Sequence, residues 1–382
     1  MSARRLPRRA SAALLILGAC GALHAHEDDA AAAARLPQRV ALLARAQSEL
    51  ERGDANAALD DFERAAMMLH AADAEMGLIR AAMQDGQYRR ALAFCAHTAG
   101  EHVDDADGAA LYAWLLRVGG QGELAARTLA DAHAHVPDDP LALALDRAFA
   151  AWPPVATGVL MQPSHRMAPW PVMLGSQPAP PAAARFASTA VLLDDGAAAL
   201  VPASALTSHA AARLWVRNGL GQTSAATLDA SDAVLSSHGL ARLVLQSRMS
   251  IGASVTPTGR PPFAGSPGYA MQFGSGDAPA WPGLTQGFLG SLVGDTDVRR
   301  LGFDAGSGAA VLDAKGALAG IVSATSDGQA RWVPLSALAP AHARPPATPA
   351  PARTGFALVA PDEIYEAGLR RVLQVLAADG AP

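Results

Sequence analysis

The chain has 382 residues, 51% hydrophobic and 17% charged, which is too long for one ordinary core and suits two domains with tails. A formal net charge of −5, with Lys315 the single lysine and no basic stripe, argues against a nucleic-acid partner. Two cysteines, Cys20 and Cys95, argue against an internal disulfide framework.

Residues 1–25 read as an export signal. Arg4, Arg5, Arg8 and Arg9 precede the apolar run "SAALLILGA", and small residues follow. The run is too short to span a bilayer as a stable helix. "ILGAC" also resembles a bacterial lipobox, which would make Cys20 a lipidation site; ordinary cleavage would instead follow Ala22 or Ala25. Both alternatives stay open. Export predicts a periplasmic or cell-envelope location, and lipidation at Cys20 would make the protein an outer-membrane lipoprotein.

Residues 36–148 carry an internal repeat. "AQSELERGDANAALDDFERAA", "IRAAMQDGQYRRALAFCAHTA" and "AWLLRVGGQGELAARTLADAH" place Gly53, Gly86 and Gly120 at spacings of 33 and 34. Five residues after each glycine stands Ala58, Ala91 or Ala125; four further on stands Phe62, Cys95 or Leu129. The pattern predicts helix pairs joined at a glycine turn, with small residues at close crossings and a larger apolar one filling the gap. It resembles the tetratricopeptide repeat, whose period is 34. Ile79 departs from it, standing where a small residue is usual. An ordinary antiparallel helical bundle is the alternative. Cys95 reads as a small buried apolar residue.

From about residue 155 to 338 helical periodicity gives way to short apolar runs broken by Gly, Pro, Asp-Gly and Ser, which predicts an all-β sandwich or barrel. "DDG" (194–196) and "DAKG" (313–316) read as tight turns. A Pro/Ala-rich spacer covers 339–356. Residues 357–382 then predict an amphipathic helix with apolar positions at 365, 369, 372, 373 and 376, its apolar face docked back on the chain.

The order of the β segments resembles the trypsin-like serine endopeptidases of the Deg/Htr type. "STAVLLDDGAAALVPASAL" lies at that family's strand, Asp-Gly turn, strand and histidine loop, and "TLDASDAVLSSHGLARLVLQ" at its Asp-Leu-Ala-Leu segment. "GYAMQFGSG" and "TQGFLGSL" match the opening of its second barrel, and "AGSGAAVLDAKGALAGI" its nucleophile loop. The resemblance implies a multidomain α + β protein: an all-α tetratricopeptide-like solenoid, an all-β trypsin-like double β-barrel and a C-terminal helix.

Carried over by position, the resemblance puts Ser307 at the nucleophile and the backbone N–H groups of Ala305 and Ser307 at the oxyanion hole. It puts Ser204 at the family's histidine and Gly239 at its aspartate. A serine cannot act as base at neutral pH, and a glycine cannot orient one, so the triad is degenerate. His209, five residues after Ser204, and His238 are the histidines nearest to the missing base; Asp229 and Asp232 could orient a base only if one exists.

"HAHE" (24–27) and "HAH" (133–135) are the nearest approaches to a metal cluster, and neither has zinc-site spacing. No cofactor or metal is expected. The expected function is that of an exported, non-catalytic pseudo-protease binding an unidentified protein or peptide through its repeats or barrel cleft. One alternative is a weak trypsin-like serine endopeptidase using Ser307 with His209 or a partner-supplied base. The other is a purely structural envelope component. Membrane contact is expected only through lipidation at Cys20.

Overall fold

The protein is described by a computed structural model over residues 35–154, 179–209, 212–251, 262–292, 298–326, 329–338 and 359–378. The segment expected to be an export signal, with Cys20, the "HAHE" segment and the Pro/Ala spacer lie outside the described residues.

Among the described residues, seven helices come first: α1 (35–52), α2 (Ala55–Met68), α3 (Ala72–Gln84), α4 (Tyr88–Glu101), α5 (Ala106–Val118), α6 (Gly122–His135) and α7 (Pro140–Phe149). The glycines of the repeat turn the chain between α1 and α2, α3 and α4, and α5 and α6. Gly53, Gly86 and Gly120 have φ of 87°, 74° and 84°, a backbone region open to glycine at little cost. Asp54, Asp105 and Asp139 cap the following helices with their side chains, and Pro140 opens α7. Ala58, Ala91 and Ala125 are fully buried, as are Phe62, Cys95 and Leu129 nearly so. Phe62 explains its size: its ring lies where a Cβ on Gly77 of α3 would stand, so the two helices cross closely there. The Cys95 thiol is buried, and desolvation pushes its pKa well up, which leaves it inert.

Two closed six-stranded antiparallel barrels follow. The first contains β1 (Arg185–Leu192), β2 (Ala198–Pro202), β3 (Arg213–Asn218), β4 (Thr223–Asp229) and β5 (Leu240–Leu245), with a short helix α8 (Ala233–Ser237) before β5. The second contains β6 (Pro267–Gln272), β7 (Gly283–Leu292), β8 (Arg299–Leu301), β9 (Ala310–Asp313), β10 (Leu318–Ser326) and β11 (Gln329–Pro334). The Asp-Gly turn joins β1 to β2 with Gly196 at φ 66°, and "DAKG" joins β9 to β10 with Gly316 at φ 75°. Small and branched residues fill the interiors: Ala190, Ala199, Val201 and Val216 in the first, Ala270, Ala309, Val311 and Val322 in the second. The described chain is thus a helical region followed by two closed antiparallel six-stranded barrels.

The C-terminal segment corrects one expectation. A helix is present, but only as α9 (Pro361–Gly368); the apolar residues from 372 onward form a strand, β12 (Val372–Ala378). β12 pairs with β1 on one side and β3 on the other and so closes the first barrel. The barrel region therefore does not end at residue 338. Counting β12 ahead of β1 gives both barrels the same order: first, second, third, sixth, fifth, fourth strand, closed on the first. The first barrel thus takes its opening strand from the end of the chain.

One continuous cluster of buried residues joins helices and barrels, running through Met76, Tyr88, Trp114, Leu220, Trp281, Leu284 and Tyr365. Tyr88 and Tyr365 have ring centroids 4.4 Å apart, and Trp281 lies 5.9–6.3 Å from Trp114, Tyr88 and Tyr365. The Tyr88 hydroxyl donates to Leu115 O at 2.7 Å and the Tyr365 hydroxyl to Pro282 O at 2.5 Å. Burial pushes both phenols above their ordinary pKa and holds them as neutral donors.

Trp281→Ala should lower stability by about 3–5 kcal/mol in urea unfolding. Tyr365→Phe, which loses only a buried hydrogen bond, should cost about 1 kcal/mol. Deleting residues 357–382 should leave one edge of β1 and one edge of β3 without a partner, open the first barrel and give a protein without fixed near-ultraviolet dichroism; a native-like spectrum would show that β12 is dispensable.

Candidate functional site between the barrels

Ser307 sits on a turn that faces the other barrel. Ala309 N donates to Gly306 O at 3.1 Å, and Gly308 at the third position has φ 86°, as a type II turn requires. Gly308 N donates to Val322 O at 2.8 Å and Val322 N returns a bond to Ala309 O at 2.9 Å, fixing the turn to β10. A Cβ on Gly308 would stand 1.9 Å from Thr189 O, so this glycine is set by close approach to β1 as well as by φ. The barrels are also tied by Phe273 N to Thr189 Oγ1 at 3.1 Å and Phe186 N to Asp277 Oδ1 at 2.7 Å.

The Ser307 hydroxyl, half-buried, donates to the Ser323 carbonyl at 3.4 Å, longer than an ordinary O–H···O bond. Among the described residues no histidine or carboxylate bonds it, and the amides of Ala305 and Ser307 have no acceptor. Gly306 N instead donates to the side chain of Gln272, a nearly buried residue at the end of β6. Gln272 pins the turn, and its place in an apolar strand pattern gave no sign of that role.

Ser204 and Gly239 are brought together. Ala203 N donates to Gly239 O at 2.9 Å, and β2 pairs with β5 through Pro202 and Leu240. Ser204 is exposed in a 3-10 turn (Ala203–His209), where its carbonyl accepts from the Thr207 hydroxyl at 3.0 Å. Gly239 has φ 71° and open space around a would-be Cβ. His209 ends the 3-10 turn, its carbonyl accepting from Ala212 N at 2.9 Å. The other polar residues are taken up locally. His238 Nδ1 lies 2.9 Å from Val234 O, Asp229 accepts from Ser231, and Asp232 caps α8. Hydrogen bonds from Ser231 hold the Asp229 carboxyl below its ordinary pKa.

In the "HAH" segment His133 faces Asp146 at 3.1 Å and His135 Nδ1 lies 2.9 Å from Asp131 O, so the two rings have separate partners. No described helix is long and apolar enough to cross a membrane.

No protein-family model matches the chain, and no curated protein does. A solved structure that resembles it is the apo MamO protease domain from Magnetospirillum magneticum, at 18% identity and a TM-score of 0.32, covering 42% of this chain and 89% of that one.

Ser307→Ala should change stability by less than about 0.5 kcal/mol, since its hydroxyl bond is long. Gly308→Ala should cost at least about 3 kcal/mol, from the Thr189 contact added to left-handed strain. Gly306→Ala, which meets only the end of the Gln272 side chain at 3.0 Å, should fall between them in urea unfolding.

Proposed function

We propose that the protein is an exported, non-catalytic pseudo-protease: tetratricopeptide-like repeats joined to a trypsin-like double barrel with a degenerate triad. It binds an extended protein or peptide segment in the cell envelope. The observation that carries this reading is the surroundings of Ser307, whose hydroxyl is hydrogen-bonded, among the described residues, only to a carbonyl. Without a base to take its proton, a serine hydroxyl is a poor nucleophile. Ser204 and Gly239, at the positions that the resemblance gives to the base and its orienter, carry no imidazole and no carboxylate, and neither His209 nor His238 is hydrogen-bonded to Ser307 among the described residues.

The reading keeps the binding half of the site. The N–H groups of Ala305 and Ser307 can donate to a peptide carbonyl, and a barrel cleft can hold an extended chain through main-chain bonds. A helical repeat array offers a second, concave surface for a partner segment. Removal of a triad leaves a residual catalytic factor of about 10³–10⁴ over water, from binding and the oxyanion hole, too small to matter in the turnover of peptides.

Incubated overnight with unfolded casein, the purified chain should retain it on a sizing column and leave its mass spectrum unchanged. It should also fail to react with a fluorophosphonate probe. Cleavage or labelling that disappears in Ser307→Ala and in His209→Ala would overturn the reading in favour of a serine endopeptidase. Absence of both binding and cleavage would leave the barrel a structural spacer.

A further inference from the structure

The helical region holds a cluster that belongs to none of this. Glu75, in the first turn of α3, is buried to 4% exposure although it carries a carboxylate. Three imidazoles converge on it. His70 Nε2, from the turn between α2 and α3, lies 2.5 Å from Glu75 Oε1. His97 Nε2, near the end of α4, lies 3.3 Å from the same oxygen, and His102 Nε2, at the C-cap of α4, lies 3.4 Å from Oε2. The donor atoms of His70, Glu75 and His102 all fall within 4.8 Å of one another.

Hydrogen bonding alone does not satisfy this arrangement. If His70 and His97 both donate to Glu75 Oε1, their Nε2 hydrogens oppose each other across 3.1 Å. If one accepts from the other, its contact with Glu75 is left without a hydrogen. His102 Nε2 is buried and has no hydrogen-bond partner among the described residues. A buried polar atom without a partner costs about 1–3 kcal/mol. A cation among His70, Glu75 and His102 removes the conflict, because the His70 and His102 nitrogens then offer lone pairs and His97 is left to donate to Glu75 Oε1. The spacing also fits: tetrahedral bonds of about 2.0–2.1 Å put ligand atoms about 3.3 Å apart, and His102 Nε2 lies 3.4 Å from Glu75 Oε2.

The geometry assigns a zinc-class divalent site to His70, Glu75 and His102, with His97 beside it. Two imidazole nitrogens and a carboxylate oxygen are donors for such a metal, not for calcium or magnesium, which take oxygen ligands. Thr98 completes it from behind: its hydroxyl donates to Glu75 Oε2 at 2.7 Å and so orients the carboxylate. The rings of His70 and His97 are 58% and 48% exposed at the side chain, which leaves an entry path from solvent. Three protein ligands leave a fourth position for water. The site clasps the α2–α3 turn to the end of α4.

The test uses the full chain without a histidine tag, stripped with EDTA and titrated calorimetrically with ZnCl2 and, separately, MgCl2. One zinc per chain should bind with Kd at or below about 1 µM, and magnesium should not compete. His102→Ala and Glu75→Gln should each weaken zinc by at least about tenfold, and Thr98→Val by about tenfold. Because changes at buried Glu75 can disturb folding, the exposed pair His70→Ala/His97→Ala is the safer variant, with helicity checked by circular dichroism. Ring-nitrogen resonances of His70, His97 and His102 should move on zinc addition while those of His133, His135, His209 and His238 stay. Absence of zinc binding, or affinity unchanged in the folded His70→Ala/His97→Ala chain, would overturn the assignment to a bare carboxylate–imidazole cluster. Equal binding of magnesium would overturn the metal class.

Discussion

Trp281 stands where three parts of the chain meet: helices α4 and α5, the start of the second barrel and α9. Its ring neighbours, Trp114, Tyr88 and Tyr365, come one or two from each side. Each such aromatic side chain buries about 150–250 Å², worth about 4–6 kcal/mol as an upper bound at about 25 cal/mol per Å². The charged contacts at the same joint, Arg89 with Glu363 and Glu366 at 3.1 Å, are half-exposed and belong to a class worth about 0–1 kcal/mol. Apolar burial decides the joint. It carries a polar cost, because Nε1 of both Trp114 and Trp281 is buried without an acceptor among the described residues.

The joint also explains the C-terminal segment. Tyr365 anchors α9, and Gly368 lets it lie against the Met271 side chain of β6, which a Cβ there would meet at 2.2 Å. The chain then leaves the second barrel and enters the first as β12, where Gln374 accepts from the buried Arg217 and donates to Gly276 O and Ala278 O. Desolvation pushes Arg217 down to about 10, still charged at neutral pH, so the pair holds β3, β12 and the β6–β7 loop of the second barrel together. A stretch after a Pro/Ala spacer thus packs on the second barrel and closes the first. The turn bearing Ser307 is packed against β1, a neighbour of β12, so the candidate cleft depends on the same closure.

Much of this was legible in the sequence because local signals were strong. Glycines at a period of 33 and 34 marked three turns that do have positive φ, and the Asp-Gly and Asp-Ala-Lys-Gly turns stood where hairpins are. "RVLQVLAA" misled because β12 is buried on both faces. Such a strand loses its alternation and reads as an apolar run, and its leucines and alanines fit a helix equally well. The short strand β8 and the role of Gln272 had no pattern at all. The cluster around Glu75 was invisible for another reason: His70 and Glu75, like His97 and His102, stand five apart, a spacing outside the usual zinc signatures, and only helix packing brings the two pairs together.

A chain built around one aromatic joint has no independent helical and barrel halves, and differential scanning calorimetry of the full chain tests this most directly. A single transition is predicted, with calorimetric and van't Hoff enthalpies in agreement, for helices and barrels together. Two resolved transitions, one losing helical and the other β dichroism, would contradict it.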